Sequence, residues 1–171
     1  MVSLGKYNLE VINHINIFEN ITKARVKDCF IDGNNKFVFI VNKEEAKIIL
    51  GHEEGDEISV KRLLKGIVDL GPKMVIITDG GEGSYGYNEE SFYHLDIFPA
   101  KLVEMTGAGD AYATGVLAGL FHGKDLKEAM RWGAANGASV VEQVGPQAGL
   151  LTFHGMQEKL KENTKIVAKE I

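Results

Sequence analysis

The strongest strand signal in the chain is Met74-Val75-Ile76-Ile77-Thr78. Its four consecutive apolar residues predict a strand that is buried on both faces, as the strands of a parallel sheet are. The turn that follows is Asp79-Gly80-Gly81-Glu82-Gly83, whose three glycines permit sharp changes of backbone direction. A buried strand that ends in such a turn is typical of an α/β sheet with helices packed against it.

The segment before this strand predicts a second buried strand and two helices. Lys36 to Val41 is another short apolar run, and Asn42 is placed to cap a helix from Glu44 to Leu50. A second amphipathic helix follows and ends at Gly71-Pro72. Residues 1–35 fit neither a helical nor a strand period clearly, so they stay unassigned.

The segment after the glycine-rich turn predicts a two-stranded ribbon and three helices. Residues 85–98 alternate like two short strands that are joined near residues 88–90. The apolar periodicity then predicts helices over 111–121, 126–141 and 153–161. The charged tail, residues 163–171, is expected to be frayed.

Composition excludes several classes of protein. The 171 residues include 25% charged residues and carry a net charge of −5, which argues against wholesale disorder and leaves no basic footprint for nucleic acid. The single cysteine, Cys29, cannot form an intrachain disulfide. No apolar run approaches the roughly 20 residues that span a bilayer. Because the first residues also lack the shape of a signal peptide, we expect a cytoplasmic protein without a membrane partner.

A candidate anion site lies in the motif Thr106-Gly107-Ala108-Gly109-Asp110, directly before a predicted helix. The N–H groups of residues 107–110 would be the unpaired donors of the helix start, with the positive end of the helix dipole behind them. Such donors can bind an anion, and Asp110 could accept a proton from a hydroxyl that attacks it. From these residues alone, a glycine-containing turn in which Asp110 only caps the helix fits equally well.

A second phosphate signature is weaker. Gly81-Glu82-Gly83-Ser84-Tyr85-Gly86 matches G-x-G-x-x-G after a strand, but a dinucleotide site also requires a helix directly after the glycines. The following residues alternate as in a ribbon, so we interpret the match as accidental. A helix after Gly86 would revive the hypothesis of a dinucleotide enzyme.

Three motifs in order resemble the ribokinase or PfkB family of sugar and nucleoside kinases. The motifs are a T-G-A-G-D block, a T-x-G-x-x-G turn and an N-x-x-E pair, which fall on residues 106–110, on Thr78, Gly80 and Gly83, and on Asn42 and Glu45. The resemblance covers roughly residues 36–162. It implies an α/β fold with a mostly parallel sheet flanked by helices, and ATP-dependent phosphoryl transfer to a hydroxyl of a sugar or nucleoside.

The resemblance also implies roles for individual residues. Asp110 would be the general base, and the backbone of Gly107, Ala108 and Gly109 would hold the charge that develops on the transferred phosphoryl group. Glu45 would organise Mg²⁺ through water. The other residues implied to bind ATP are Asn42 near the phosphates, Thr78, Asp79, Gly80, Gly83 and Thr106 around the nucleotide, and Ala134, Asn136 and Gly145 beside the adenine.

The chain departs from the family pattern at two places. Glu104-Met105 stands where the family often has Asp-Thr, which puts a monovalent-cation site in question. Residues 1–35 are too few to supply the family's N-terminal half, with its sugar-contacting residues and β-stranded lid. We therefore expect residues 36–162 to form the C-terminal nucleotide-binding and catalytic region of such a kinase, between an unassigned N-terminal segment and the charged tail.

Two consequences follow from the missing half. The chain is either a working kinase, or a non-catalytic nucleotide-binding module or truncated kinase fragment. An incomplete sheet would also expose an edge or an apolar face. We therefore expect the isolated chain to associate, as a homo-oligomer or with a complementing chain.

Overall fold

A six-stranded sheet organises the residues that the computed structural model describes, which are 28–31, 37–53 and 55–171. Its strands lie side by side in chain order: β1 (Asp28–Ile31), β2 (Phe37–Asn42), β3 (Met74–Thr78), β4 (Ser84–Tyr87), β5 (Phe92–Leu95) and β6 (Lys169–Glu170). Of the segment 1–35, only β1 is described. The two strands predicted first, β2 and β3, are confirmed.

Five helices are present in the same ranges: α1 (Lys43–Ile49), α2 (Val60–Val68), α3 (Ala108–Phe121), α4 (Leu126–Val140) and α5 (Phe153–Glu162). They confirm the helices predicted from periodicity, with α3 beginning three residues earlier than expected. None of these helices is both long and apolar enough to cross a membrane. The residues after Gly86 form β4 and β5 rather than a helix, so the dinucleotide hypothesis is wrong.

The α/β architecture is confirmed, but the sheet is mixed rather than mostly parallel. Only β2 and β3 pair in parallel, because the chain crosses over between them through α1 and α2. The other four pairings are antiparallel. Short connections such as the turn at residues 79–83 can join only antiparallel neighbours, which explains three of these pairings. The fourth, between β5 and β6, joins segments that lie far apart in the chain.

The two central strands are buried on both faces, as the apolar run at residues 74–77 predicts. On one face, Val38, Ile40, Met74 and Ile76 pack against α3 and α4. On the other face, Phe39, Val41, Val75 and Ile77 pack against α1 and α2. The sheet is therefore the middle layer of three, and its two central strands are held from both sides.

The C-terminal tail is ordered, which corrects the expectation of a frayed end. Lys169 and Glu170 form β6 against the edge of β5, and the Ser91 hydroxyl donates a hydrogen bond of 2.6 Å to the Glu170 carboxylate. Arg131 of α4 donates from Nε to the carbonyl oxygen of Ile166 at 2.5 Å. The edge of β5 and the guanidinium of Arg131 thus hold residues 163–171 against the fold, although their charged composition alone predicts exposure to solvent.

Candidate active site

The carboxyl ends of β2 and β3 lie side by side and begin the site. Asn42 and Thr78 are direct partners in the parallel register of the two strands. Side chains that leave the carboxyl ends of neighbouring parallel strands meet at one edge of the sheet, where α/β proteins bind their ligands. The register therefore brings the N-x-x-E pair next to the start of the glycine-rich turn, although 36 residues separate them.

The N-x-x-E pair forms a reciprocal cap at the start of α1. The Glu45 backbone N–H donates to Asn42 Oδ1 at 2.8 Å, and the Asn42 backbone N–H donates to Glu45 Oε2 at 2.9 Å. This capping box fixes both side chains at the sheet edge. The capping box engages one oxygen of the Glu45 carboxylate, and the other accepts no hydrogen bond from the described residues.

The glycine-rich turn is held in one shape by backbone constraints. The Asp79 N–H donates to the carbonyl oxygen of Gly83 at 2.9 Å, and Gly83 has a φ of 84°. A Cβ on Gly83 would overlap the carbonyl oxygen of Leu95, so only glycine fits. His94 Nε2 lies 2.9 Å from the carbonyl oxygen of Glu82 and braces the turn from β5.

An ion pair joins the same two strand ends one residue further on. Lys43 Nζ lies 2.6 Å from Asp79 Oδ2, and the two side chains are 30% and 20% exposed. The hydrogen bond to Asp79 raises the pKa of the Lys43 ammonium, against the opposing effect of its partial burial. Sequence reasoning included Asp79 but missed Lys43. The parallel register was the missing information, because it makes the two residues neighbours.

The first turn of α3 presents backbone donors. Gly107 precedes the helix with a φ of 84°, and Asp110 lies in its first turn. The Ala108 N–H donates to the carbonyl oxygen of Met105 at 3.2 Å. The N–H groups of Gly107, Gly109 and Asp110 have no backbone acceptor within the described part of the chain. Of the four N–H groups that the sequence predicts to bind an anion, three thus lack a backbone acceptor in the described residues, and that of Ala108 is engaged.

One cavity brings residues of all three motifs together. It has a volume of about 160 Å³ and is lined by Ile40, Val41, Asn42, Glu45, Thr78, Gly109 and Asp110. Five of these residues were singled out from the sequence. Clefts that enclose a whole small ligand usually measure about 300–1,000 Å³, so this cavity suits only part of a nucleotide. Two carboxylates beside backbone donors are the arrangement that a phosphate and a metal ion need together.

The cavity fits a magnesium ion that keeps most of its water. Mg²⁺ prefers oxygen ligands and is held in phosphoryl-transfer sites by one or two carboxylates together with the substrate phosphates. Glu45 and Asp110 supply two carboxylates to one cavity. In the ranges that the structure describes, no group of three or more His, Cys, Asp or Glu residues forms a dedicated metal cage.

Glu104 fixes the segment that leads into α3. Its Oε2 accepts a hydrogen bond of 2.9 Å from the N–H of Gly145. The Thr106 hydroxyl, and then this N–H, lower the pKa of the Glu104 carboxyl. The residue that the sequence marks as a departure from the family thus ties the T-G-A-G-D motif to the loop at Gly145. Gly145 and Thr106 were both predicted to adjoin the nucleotide.

A buried hydrogen bond links α3 to the strand that follows the glycine-rich turn. The Tyr112 hydroxyl donates to Ser84 Oγ at 2.8 Å, and burial raises the pKa of the Tyr112 phenol. Neither residue was singled out from the sequence. The bond holds the helix that carries Asp110 next to the turn that carries Gly83.

None of the residues predicted beside the adenine lines the 160 Å³ cavity. Asn136 is 4% exposed; its amide donates to the carbonyl oxygen of Ala111 at 2.8 Å and accepts from the N–H of Leu151 at 2.9 Å. Ala134 packs against the hydrophobic core. Both ends of the Asn136 amide are therefore engaged within the fold, and its contact with adenine stays a prediction.

Comparison with known proteins gives a consistent family. The sequence pattern of the pfkB family of carbohydrate kinases matches residues 31–152. The chain is 31% identical over 137 residues to a 5-dehydro-2-deoxygluconokinase of Clostridium beijerinckii, a match that covers 77% of this chain and 39% of the relative. It is 35% identical over 101 residues to a nucleoside kinase of Methanothermobacter thermautotrophicus, covering 58% of this chain and 32% of the relative.

Solved structures agree. A ribokinase from Thermotoga maritima superposes with a TM-score of 0.66 at 27% identity and covers 72% of this chain, which spans 42% of that protein. A nucleoside kinase of Methanocaldococcus jannaschii, an archaeal member of the ribokinase family, gives a TM-score of 0.60 at 28% identity, covering 74% of this chain and 40% of the neighbour. The chain thus spans about two fifths of the length of such proteins.

Proposed function

Because the chain belongs to the pfkB family of carbohydrate kinases, we propose that it transfers a phosphoryl group from ATP to a hydroxyl of a sugar or nucleoside. The observation that carries this proposal is the shared cavity of Asn42, Glu45, Thr78, Gly109 and Asp110. Phosphoryl transfer depends on positioning and on charge stabilisation more than on reactive side chains. A base, a set of backbone donors and a second carboxylate in one cavity meet that need.

In the proposed reaction, Asp110 accepts the proton of the acceptor hydroxyl. The hydroxyl oxygen then forms a bond to the γ-phosphorus of ATP, the bond from that phosphorus to the β,γ-bridging oxygen breaks, and ADP leaves. The N–H groups of Gly107, Gly109 and Asp110 stabilise the negative charge on the transferred group. Magnesium, when bound, neutralises phosphate charge and orients the phosphates, and Glu45 is the residue we expect to hold it through water.

The acceptor is proposed only as a class. Similar proteins carry the names 5-dehydro-2-deoxygluconokinase and nucleoside kinase, so the acceptors to test first are the keto sugar acid of the former name and a set of nucleosides. The 160 Å³ cavity offers no further discrimination, because it is too small to enclose a sugar and a phosphate together.

The test is Asp110→Asn, which keeps the shape of the side chain and removes its basicity. We expect ATP-dependent phosphorylation to fall by about 10²–10⁴-fold, because general-base help is worth that much. Asp96→Asn is the matched control, since Asp96 lies on the surface beyond β5 and is 61% exposed. Coupled detection of ADP measures the rate, and circular dichroism checks the fold. Turnover of Asp110→Asn equal to that of the wild type would contradict the proposal.

A second candidate, a non-catalytic nucleotide-binding module or kinase fragment, is favoured by one observation. The chain spans 39% of the length of its gluconokinase relative, so about three fifths of that protein has no counterpart in the aligned segment. Calorimetry with ATP and Mg²⁺, combined with a turnover assay over the acceptor panel, separates the two functions. ATP binding without turnover of any acceptor favours the module, and turnover favours the kinase.

A further inference from the structure

The 160 Å³ cavity carries negative charge that no side chain of its lining neutralises. Glu45 and Asp110 contribute two carboxylates, and none of the seven lining residues is a cation. ATP adds several negative charges at the same place. Backbone N–H groups and a metal ion offset part of this repulsion, and phosphate sites commonly add a lysine ammonium.

Lys43 is a cation that directly adjoins the lining of this cavity along the chain. It directly follows Asn42, which lines the cavity, and its ammonium contacts Asp79, which directly follows Thr78, also in the lining. Since Asn42 and Thr78 are register partners, the Lys43–Asp79 pair stands one residue beyond the cavity at the same sheet edge.

The ammonium of Lys43 is paired with Asp79 but remains accessible to solvent. Its side chain is 30% exposed, and it also lines an open hollow of about 430 Å³ together with Lys47 and residues 55–59. An accessible ion pair of this kind has a small net free energy, because solvent screens it. The lysine can therefore exchange its carboxylate partner for a phosphate oxygen with little loss.

We propose that Lys43 is a nucleotide-phosphate ligand and that Asp79 holds its ammonium at the edge of the cavity until the phosphates arrive. The inference rests on the proposed ATP site and adds Lys43, which occupies a variable position of the N-x-x-E pair. It also gives Asp79 a definite role, which is to position Lys43 rather than to contact the nucleotide. The two partners should then affect ATP binding in opposite directions.

The experiment compares charge-removing variants of both partners by calorimetry, with ATP, ADP and adenosine as separate probes. Lys43→Met should weaken ATP binding by about tenfold or more, the usual range for a lost hydrogen bond to a charged group, and should leave adenosine binding unchanged. Asp79→Asn frees the ammonium, so ATP binding should stay equal or become tighter. Lys43→Arg, which keeps the charge, should restore most of the ATP affinity lost in Lys43→Met.

Lys47→Met is the matched control. Lys47 lies one turn further along α1 and pairs with Glu44 at 3.1 Å. Neither of its neighbours along the chain, Ala46 and Ile48, lines the 160 Å³ cavity. The Lys47→Met variant should therefore bind ATP as the wild type does. Raising the salt concentration should weaken ATP binding less in Lys43→Met than in the wild type, because one charge contact is gone.

Two outcomes would overturn the inference. If Lys43→Met binds ATP like the wild type, the lysine does not contact the phosphates. If Asp79→Asn and Lys43→Met both lose affinity for ATP and for adenosine, the ion pair is only a structural brace between the strand ends. A wild-type chain that binds no nucleotide would instead remove the proposed function itself, and this inference with it.

Discussion

Two glycines at the start of α3 differ in the space that is available to a side chain. Gly107 has a φ of 84°, and a Cβ placed there would lie 2.6 Å from Cβ of Pro146 and 2.8 Å from its carbonyl oxygen. Gly109 has no heavy atom within 4 Å of the same position, yet it lines the 160 Å³ cavity. The fold therefore requires the first glycine, whereas at the second it leaves open space for a methyl group.

The contrast predicts different effects for the same substitution. Gly107→Ala should lower the free energy of unfolding by about 2 kcal/mol or more, since it adds backbone strain and a clash with Pro146. Gly109→Ala should keep the stability or raise it by up to about 1 kcal/mol, because alanine favours a helix. Urea denaturation measures both variants. Equal stabilities would contradict the geometry.

The same pair also bears on nucleotide binding. The methyl group of Gly109→Ala would occupy space at the cavity wall, so we expect weaker ATP binding in a fully folded variant. Calorimetry on this variant thus separates loss of binding from loss of fold.

At the scale of elements, Asn136 joins three parts of the chain. It lies on α4, donates to the carbonyl oxygen of Ala111 on α3 and accepts from Leu151 in the loop before α5. Glycines let α3 and α4 approach closely, since a Cβ on Gly115 would lie 2.6 Å from the carbonyl oxygen of Trp132. The position of Asp110 therefore depends on this helix pair.

We predict that Asn136→Ala destabilises the protein by about 3 kcal/mol. The buried carbonyl oxygen of Ala111 and the N–H of the half-buried Leu151 would each lose a hydrogen bond to the amide, and a polar group left unsatisfied costs about 1–3 kcal/mol. Ser139→Ala, on the same helix and half-buried, is the control and should change stability by well under 1 kcal/mol. Thermal unfolding followed by circular dichroism gives the comparison. An unfolding temperature of Asn136→Ala equal to that of the control would show that the amide does not hold these elements together.

At the scale of the whole molecule, large apolar side chains remain on the surface. Phe121 is 88% exposed at the end of α3, and Val144, Met105 and Leu102 are 76%, 68% and 63% exposed. The last three lie on the two segments that Glu104 and Gly145 connect. Clustered apolar surface of this kind favours association.

We therefore predict that the isolated chain associates. Light scattering should give a mass above 18.7 kDa that rises with concentration. If the cluster at Leu102 and Val144 carries the contact, Leu102→Ser combined with Val144→Ser should lower the average mass. A monodisperse monomer over the whole concentration range would contradict the prediction.

The sequence by itself determined the local features of this protein. The two central strands, the presence and order of the five helices and the cap at Asn42 follow from periodicity and from hydrogen bonds that span only three or four residues. The three motifs also follow from local sequence, because a helix start or a glycine-rich turn is encoded by a few adjacent residues. That information identified five of the seven residues around the cavity.

Only the tertiary structure decided which distant residues meet. The parallel pairing of β2 with β3, the strand at Lys169, the Lys43–Asp79 ion pair and the Tyr112–Ser84 bond each join segments between 28 and about 80 residues apart. Such pairings depend on strand register and on helix packing, which are set by the core as a whole rather than by neighbouring residues. For the same reason, the sequence could suggest Asn136 as a ligand contact, while the fold places its amide between two helices and a loop.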